Sequence, residues 1–76
     1  MSVEEQVKAV FKKVLDINPS EIKPNEQLGA SLGIDSTELV EISVGIKKEI
    51  GVALADSELK KSHTFNEIIK IIESKK

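Results

Sequence analysis

Leu32-Gly33-Ile34-Asp35-Ser36-Thr37-Glu38-Leu39-Val40-Glu41-Ile42 is the stretch from which the rest of the chain is read. An aspartate followed three residues later by a glutamate is the capping-box pattern of a helix start, and Gly33 supplies a tight turn ahead of it. With Asp35 as the cap, Ser36 falls in the first turn and its hydroxyl is not committed to capping. Unpaired N–H groups and the positive end of the helix dipole favour a phosphate attached at such a position. Local chemistry also leaves a plainer alternative open, in which Ser36 fills the first turn as serines at helix starts commonly do.

The helix that follows is predicted over about Ser36 to Ile50, with Gly51 as its left-handed C-terminal cap. At about 100° per residue, Leu39, Ile42, Ile46 and Ile50 gather on one stripe that must face a core. Ser43 falls on that stripe and is expected to satisfy its hydroxyl locally. Thr37, Val40 and Val44 lie roughly 100–160° away, flanked by Glu41 and Lys48. Two valines one turn apart and rimmed by charge are either a docking strip or the ordinary scatter of exposed apolar residues. Asp35, Glu38 and Glu41 occupy the first half of the helix, Lys47 and Lys48 its end. That order complements the helix dipole and equally suits a basic partner. Gly45, in mid-helix, costs about 1 kcal/mol against Ala, and nothing local accounts for it.

Upstream, the segment from Ser2 to about Asp16 places Val3, Val7, Val10, Phe11 and Val14 at three-four spacing, one buried helical stripe. Ser2 and Glu5 form its capping-box pattern, and Lys8, Lys12 and Lys13 read as a solvated face. Between the two helices the periodicity breaks into a long loop punctuated by Pro19, Pro24, Gly29 and Gly33. Ile17, Ile22, Leu28, Leu32 and Ile34 stud this loop, so it should be pinned to the core, with a single helical turn near Ser20 to Ile22. Downstream, Asp56 to Lys60 is expected to form a short helix anchored by Leu59. Thr64 and Glu67 then cap a last helix whose stripe is Phe65, Ile68, Ile69 and Ile72. Ser74-Lys75-Lys76 is expected to fray. The fold class is all-α: a small four-helix bundle of three main helices and one short one, with a long loop between helices 1 and 2, forming a single domain over residues 1–76.

Composition narrows the function. A chain of 76 residues buries about 60% of its unfolded surface, which makes its stability marginal. With no cysteine there is no disulfide, thiolate metal site or thiol nucleophile, which suits a reducing compartment. No apolar run approaches a membrane span, and no signal-peptide core opens the chain, so a cytoplasmic monomer without stable membrane insertion is expected. The net charge is −2, every basic residue is lysine, and the aromatics are Phe11 and Phe65 alone. Nucleic acid is thereby disfavoured, for want of a basic excess, stacking faces and guanidinium forks. The one histidine, His63, precedes a helix cap with no nucleophile or orienting group in view. Carboxylates are spread along helix faces without the clustering a metal site needs, and no glycine-rich phosphate loop occurs. The chain reads as a non-enzyme with no metal.

Nearly the whole chain resembles an acyl carrier protein. The resemblance rests on the size, the N-terminal helix, the aliphatic-studded loop, Leu32-Gly33-x-Asp35-Ser36 ahead of the helix bearing Val40-Glu41, Ile50, and the final helices. It implies that Ser36 is the attachment point for 4′-phosphopantetheine, moved there from coenzyme A by a phosphopantetheinyl transferase with Mg²⁺. Such a protein carries acyl intermediates as thioesters and presents them to acyl-transferring, acyl-activating or condensing enzymes of fatty acid, polyketide or specialised lipid pathways.

The resemblance further implies partner docking through Asp35, Thr37, Glu38, Val40, Glu41, Val44, Lys47 and Lys48, and an acyl-chain pocket at Leu39, Ile46, Ile50 and Leu59. Three departures stand out: Thr37 replaces the usual Leu, Lys47 and Lys48 replace common acidic residues, and the chain is less acidic than typical fatty-acid carriers. They point to a specialised carrier with its own enzymes. Alternatives within the same layout are an aminoacyl or peptidyl carrier, such as a D-alanyl carrier, and an unmodified interaction module.

Overall fold

A computed structural model describes residues 2–76 and shows an all-helical chain. Helix α1 spans Val3–Leu15, a 3₁₀ turn Pro19–Glu21, α2 Leu28–Leu32, α3 Ser36–Ile50 and α4 Phe65–Lys75. The caps explain the boundaries. Ser2 Oγ accepts from the Glu5 N–H at 3.2 Å, and α1 ends at Asp16 in the left-handed region, φ 54°. At α3, Asp35 Oδ1 accepts from the Glu38 N–H at 2.8 Å while Glu38 Oε1 accepts from the Asp35 N–H at 3.1 Å. Gly51, at φ 83°, closes the other end by donating its N–H to Lys47 O. Thr64 and Glu67 make the same reciprocal pair at α4.

The predicted stripes meet in one aliphatic core. Val7, Val10 and Phe11 of α1, Ile42 and Ile46 of α3, and Phe65, Ile68, Ile69 and Ile72 of α4 are all buried. Each such side chain withdrawn from water contributes about 1.5–3 kcal/mol. Phe11 and Phe65 meet edge to face, ring centres 5.4 Å apart at 89°, and so tie α1 to α4. α1 packs chiefly along α3. Ile22, Leu28 and Ile34 pin the region between α1 and α3 to this core, as its aliphatic content requires.

Two local expectations are corrected. The short helix lies at Leu28–Leu32, inside the predicted loop, and Asp56 to Lys60 forms only turns. The second segment starts from Ala55, which has no side-chain cap to offer; only Glu58 reaches back, its Oε1 accepting from the Ala55 N–H at 2.8 Å. Just beyond, Lys61 O accepts from the Gly29 N–H and His63 O from the Leu28 N–H, both at 3.0 Å. Those bonds draw the connector onto α2 and stop any helix there from propagating. Gly29 is where that contact is closest, since a Cβ there would sit 2.9 Å from Lys61 Cβ.

The C-terminus is the second correction. Helix α4 continues through Lys75, where fraying was expected. Lys75 Nζ lies 3.0 Å from Glu58 Oε2, and Ser74 Oγ donates to Ile71 O at 2.7 Å. The Ala55 N–H and then the Lys75 ammonium hold the Glu58 carboxyl below its ordinary value, and the Thr64 N–H does the same for Glu67. Among the described residues, no helix is long and apolar enough to cross a membrane.

Candidate functional site

Ser36 is the first residue of α3 and is exposed. The capping box on either side of it employs the Asp35 and Glu38 carboxylates and their N–H groups, and none of those bonds involves the Ser36 hydroxyl. Among the described residues the Ser36 side chain makes no hydrogen bond, so its oxygen is free to be substituted. The N–H groups of Ser36 and Thr37, in the first turn, have no partner within the helix and face the direction from which an anion approaches. The capping box thus holds the turn rigid without consuming the serine.

Beside Ser36 lies a groove of about 650 Å³ between α3 and the connector after it. That volume falls in the usual range of small-molecule sites, roughly 300–1,000 Å³. One wall is the face of α3 that carries Leu39, Val40, Ser43 and Val44; the other is formed by Leu54, Leu59 and the turn around them. Val40 and Val44 are the exposed large apolar side chains among the described residues, at 60% and 49% exposure. The groove explains that exposure, because the valine strip doubles as its wall. Ser43 does not bond within its own helix as expected: its Oγ donates to Leu54 O, another residue of the groove's lining, at a long 3.5 Å.

The structure brings some predicted site residues together and leaves others apart. Ser36, Leu39, Val40, Val44 and Leu59 share the groove. Ile46 is sealed in the core at 0% exposure and Ile50 is half-buried; neither lines it. Thr37 and Glu41 are exposed on α3, Glu38 is half-buried in its capping bond, and Lys47 and Lys48 are exposed in the last turn, outside the groove. His63 is occupied locally, its Nδ1 accepting from the Lys60 N–H at 3.3 Å.

Leu54, Ala55, Asp56, Lys60, Lys61 and Ser62 complete the lining and were not anticipated. They sit in an irregular connector, where no periodicity marks which side chains turn inward. The arrangement as a whole suits a hydroxyl-linked arm: an unbonded, exposed serine oxygen, first-turn backbone donors beside it, and a largely apolar groove that the serine shares.

A family model described as "phosphopantetheine attachment site" matches residues 5–72. The chain is similar to the acyl carrier protein of Wolinella succinogenes, 28% identical over 76 residues that cover 100% of both chains. It is also similar to the acyl carrier proteins of two strains of Nitratidesulfovibrio vulgaris, DP4 and Hildenborough, each 32% identical over 75 residues that cover 99% of both chains.

Proposed function

The chain belongs to the acyl carrier protein family, with a covalently attached 4′-phosphopantetheine, and from that premise we propose that Ser36 carries the arm. The observation that supports this most directly is the uncommitted, exposed Ser36 hydroxyl on the groove's lining. When bound, the arm supplies the thiol, and hence the thioester chemistry, that a chain without cysteine lacks. The chain's own part is to hold Ser36 in a rigid, capped first turn and to offer Leu39, Val40, Val44, Leu54 and Leu59 as an apolar trough for the cargo. The neighbouring Asp35 and Glu38 carboxylates are engaged in the capping box and neither is hydrogen-bonded to Ser36 Oγ, so its proton is taken by a separate phosphopantetheinyl transferase. Intact mass tests this: after incubation with coenzyme A, Mg²⁺ and a broad-specificity transferase, the chain should gain one arm. No gain from a folded sample with several transferases overturns it.

Partner enzymes, whether acyl-transferring, acyl-activating or condensing, meet α3 along Asp35, Thr37, Glu38, Val40, Glu41 and Val44, ending at Lys47 and Lys48. The two lysines put positive charge on the surface that basic partners of fatty-acid carriers would approach, and like charge is an effective way to reject a wrong partner. The chain therefore serves a specialised pathway with dedicated enzymes. The Lys47→Glu, Lys48→Glu variant should bind a fatty-synthesis ketosynthase about tenfold more tightly than the parent, a change mainly in association rate. Equal affinity of parent and variant, measured by surface plasmon resonance at low salt, rules out the charge-based selection.

A further inference from the structure

Charge on the groove is unevenly placed. Beside Ser36, the carboxylates of Asp35 and Glu38 are held in place by the capping box. A phosphodiester on Ser36 adds a third negative charge within the same turn. On the groove lining itself the charged residues are Asp56, Lys60 and Lys61. Ion pairs elsewhere join Glu4 to Lys8, Lys13 to Glu49, Lys23 to Glu26 and Glu58 to Lys75; among the described residues none involves Lys60, Lys61 or Asp56.

The backbone under both lysines is held. Lys60 donates its N–H to His63 Nδ1 at 3.3 Å and accepts from the His63 N–H at 3.0 Å. Lys61 accepts from the Gly29 N–H at 3.0 Å, with its Cβ seated against that glycine. Two flexible ammonium groups thus stand on fixed points of the groove that Ser36 shares. They are the cations of that lining, and no carboxylate has claimed them.

We propose that Lys60 and Lys61 are the counter-charge for the phosphodiester on Ser36, anchoring the base of the arm across the groove. This rests on Ser36 being the attachment point. Its consequence is directional: the arm leaves Ser36 along the connector side of α3, over Leu39 and Leu59, rather than along the outer face toward Thr37 and Glu41.

The test compares apo and holo protein by thermal unfolding, followed by far-UV circular dichroism, with intact mass confirming the state of each sample. The holo-minus-apo difference in Tm is taken for the parent, for Lys60→Gln with Lys61→Gln, and for a charge control, Lys12→Gln with Lys70→Gln, on α1 and α4 and off the groove. Subtracting apo from holo removes each variant's effect on the fold itself. At low salt the difference should be about 2–5 °C lower in the groove variant than in the parent, the size expected of exposed charge pairs in a small domain, while the control matches the parent.

Near 1 M salt, where the screening length is about 3 Å, parent and groove variant should converge. Equal differences at low salt overturn the proposal, as does an equal loss in the control. Should the groove variant resist loading, a holo-minus-apo difference in the parent that does not change with salt overturns it too. A parent that takes up no arm overturns both this and the Ser36 assignment; a parent loaded at Ser36 without the shift overturns the lysine role alone.

Discussion

Ser36→Ala should take up no arm under conditions that convert the parent completely, a loss of more than about a hundredfold in modified product by intact mass, because no other oxygen can be reached in the same geometry. The groove offers two rivals, since Ser43 and Ser62 also line it. Ser43 is half-buried two turns beyond Ser36 on α3, and its hydroxyl already donates to Leu54 O, at 3.5 Å. Ser62 lies in a turn of the connector, without a helix start to set beside the incoming phosphorus. Ser36 alone combines exposure, an unbonded hydroxyl and the first turn of a helix. Ser43→Ala and Ser62→Ala should therefore be modified to the parent's extent. Their loss of modification, or residual loading of Ser36→Ala, would move the attachment point elsewhere on the groove.

Gly45→Ala should lower stability, although in an isolated helix the same change is favourable by about 1 kcal/mol. A Cβ built at Gly45 would stand 2.8 Å from Val10 Cγ1, well inside contact distance. Val10 is 1% exposed and lies where α1 packs along α3, so neither side chain nor backbone has free space to retreat into. Overpacking of this kind costs about 1–3 kcal/mol against a propensity gain of about 1 kcal/mol, and the middle of that range leaves a net loss of about 1 kcal/mol. A net drop in Tm of about 4–8 °C is expected for a domain of this size. Val10→Ala removes the obstructing methyl groups at its own cost in buried surface. Combined with Gly45→Ala it should therefore cost at least about 1 kcal/mol less than the sum of the two single changes. A rise in Tm for Gly45→Ala would mean that α1 and α3 are not in this close contact.

The same glycine marks the boundary between what is local and what is not. Most helix starts and stops were readable because each depends on residues three or four apart: Asp35 with Glu38, Thr64 with Glu67, Gly51 with Lys47. The buried stripes were readable because a helix repeats every 3.6 residues, and Val7, Val10 and Phe11, or Phe65, Ile68, Ile69 and Ile72, have nowhere to go but inward. Ser36 was readable for the same reason, since its freedom follows from Asp35 taking the cap.

The short helix was misplaced because glycine served as punctuation. Gly29 and Gly33 suggested loop, yet Gly33 at φ 64° is the cap of α2 and Gly29 admits Lys61 to close contact. The helix denied to Asp56–Lys60 was lost to hydrogen bonds reaching some thirty residues back along the chain, which no local pattern announces. The ordered C-terminus depends likewise on Glu58 meeting Lys75.

From sequence alone come the helical class, the three main helices with their caps, the apolar stripes that form the core, and a first-turn serine whose hydroxyl the cap leaves uncommitted. All of these are settled by spacing within one turn of helix. The groove beside that serine, its lysine-bearing far wall, the second use of Val40 and Val44 as its lining, and the need for glycine at position 45 were decided only when distant segments met. Contact between elements depends on which side chains can approach one another in three dimensions, and a periodicity along one helix carries no information about its neighbour.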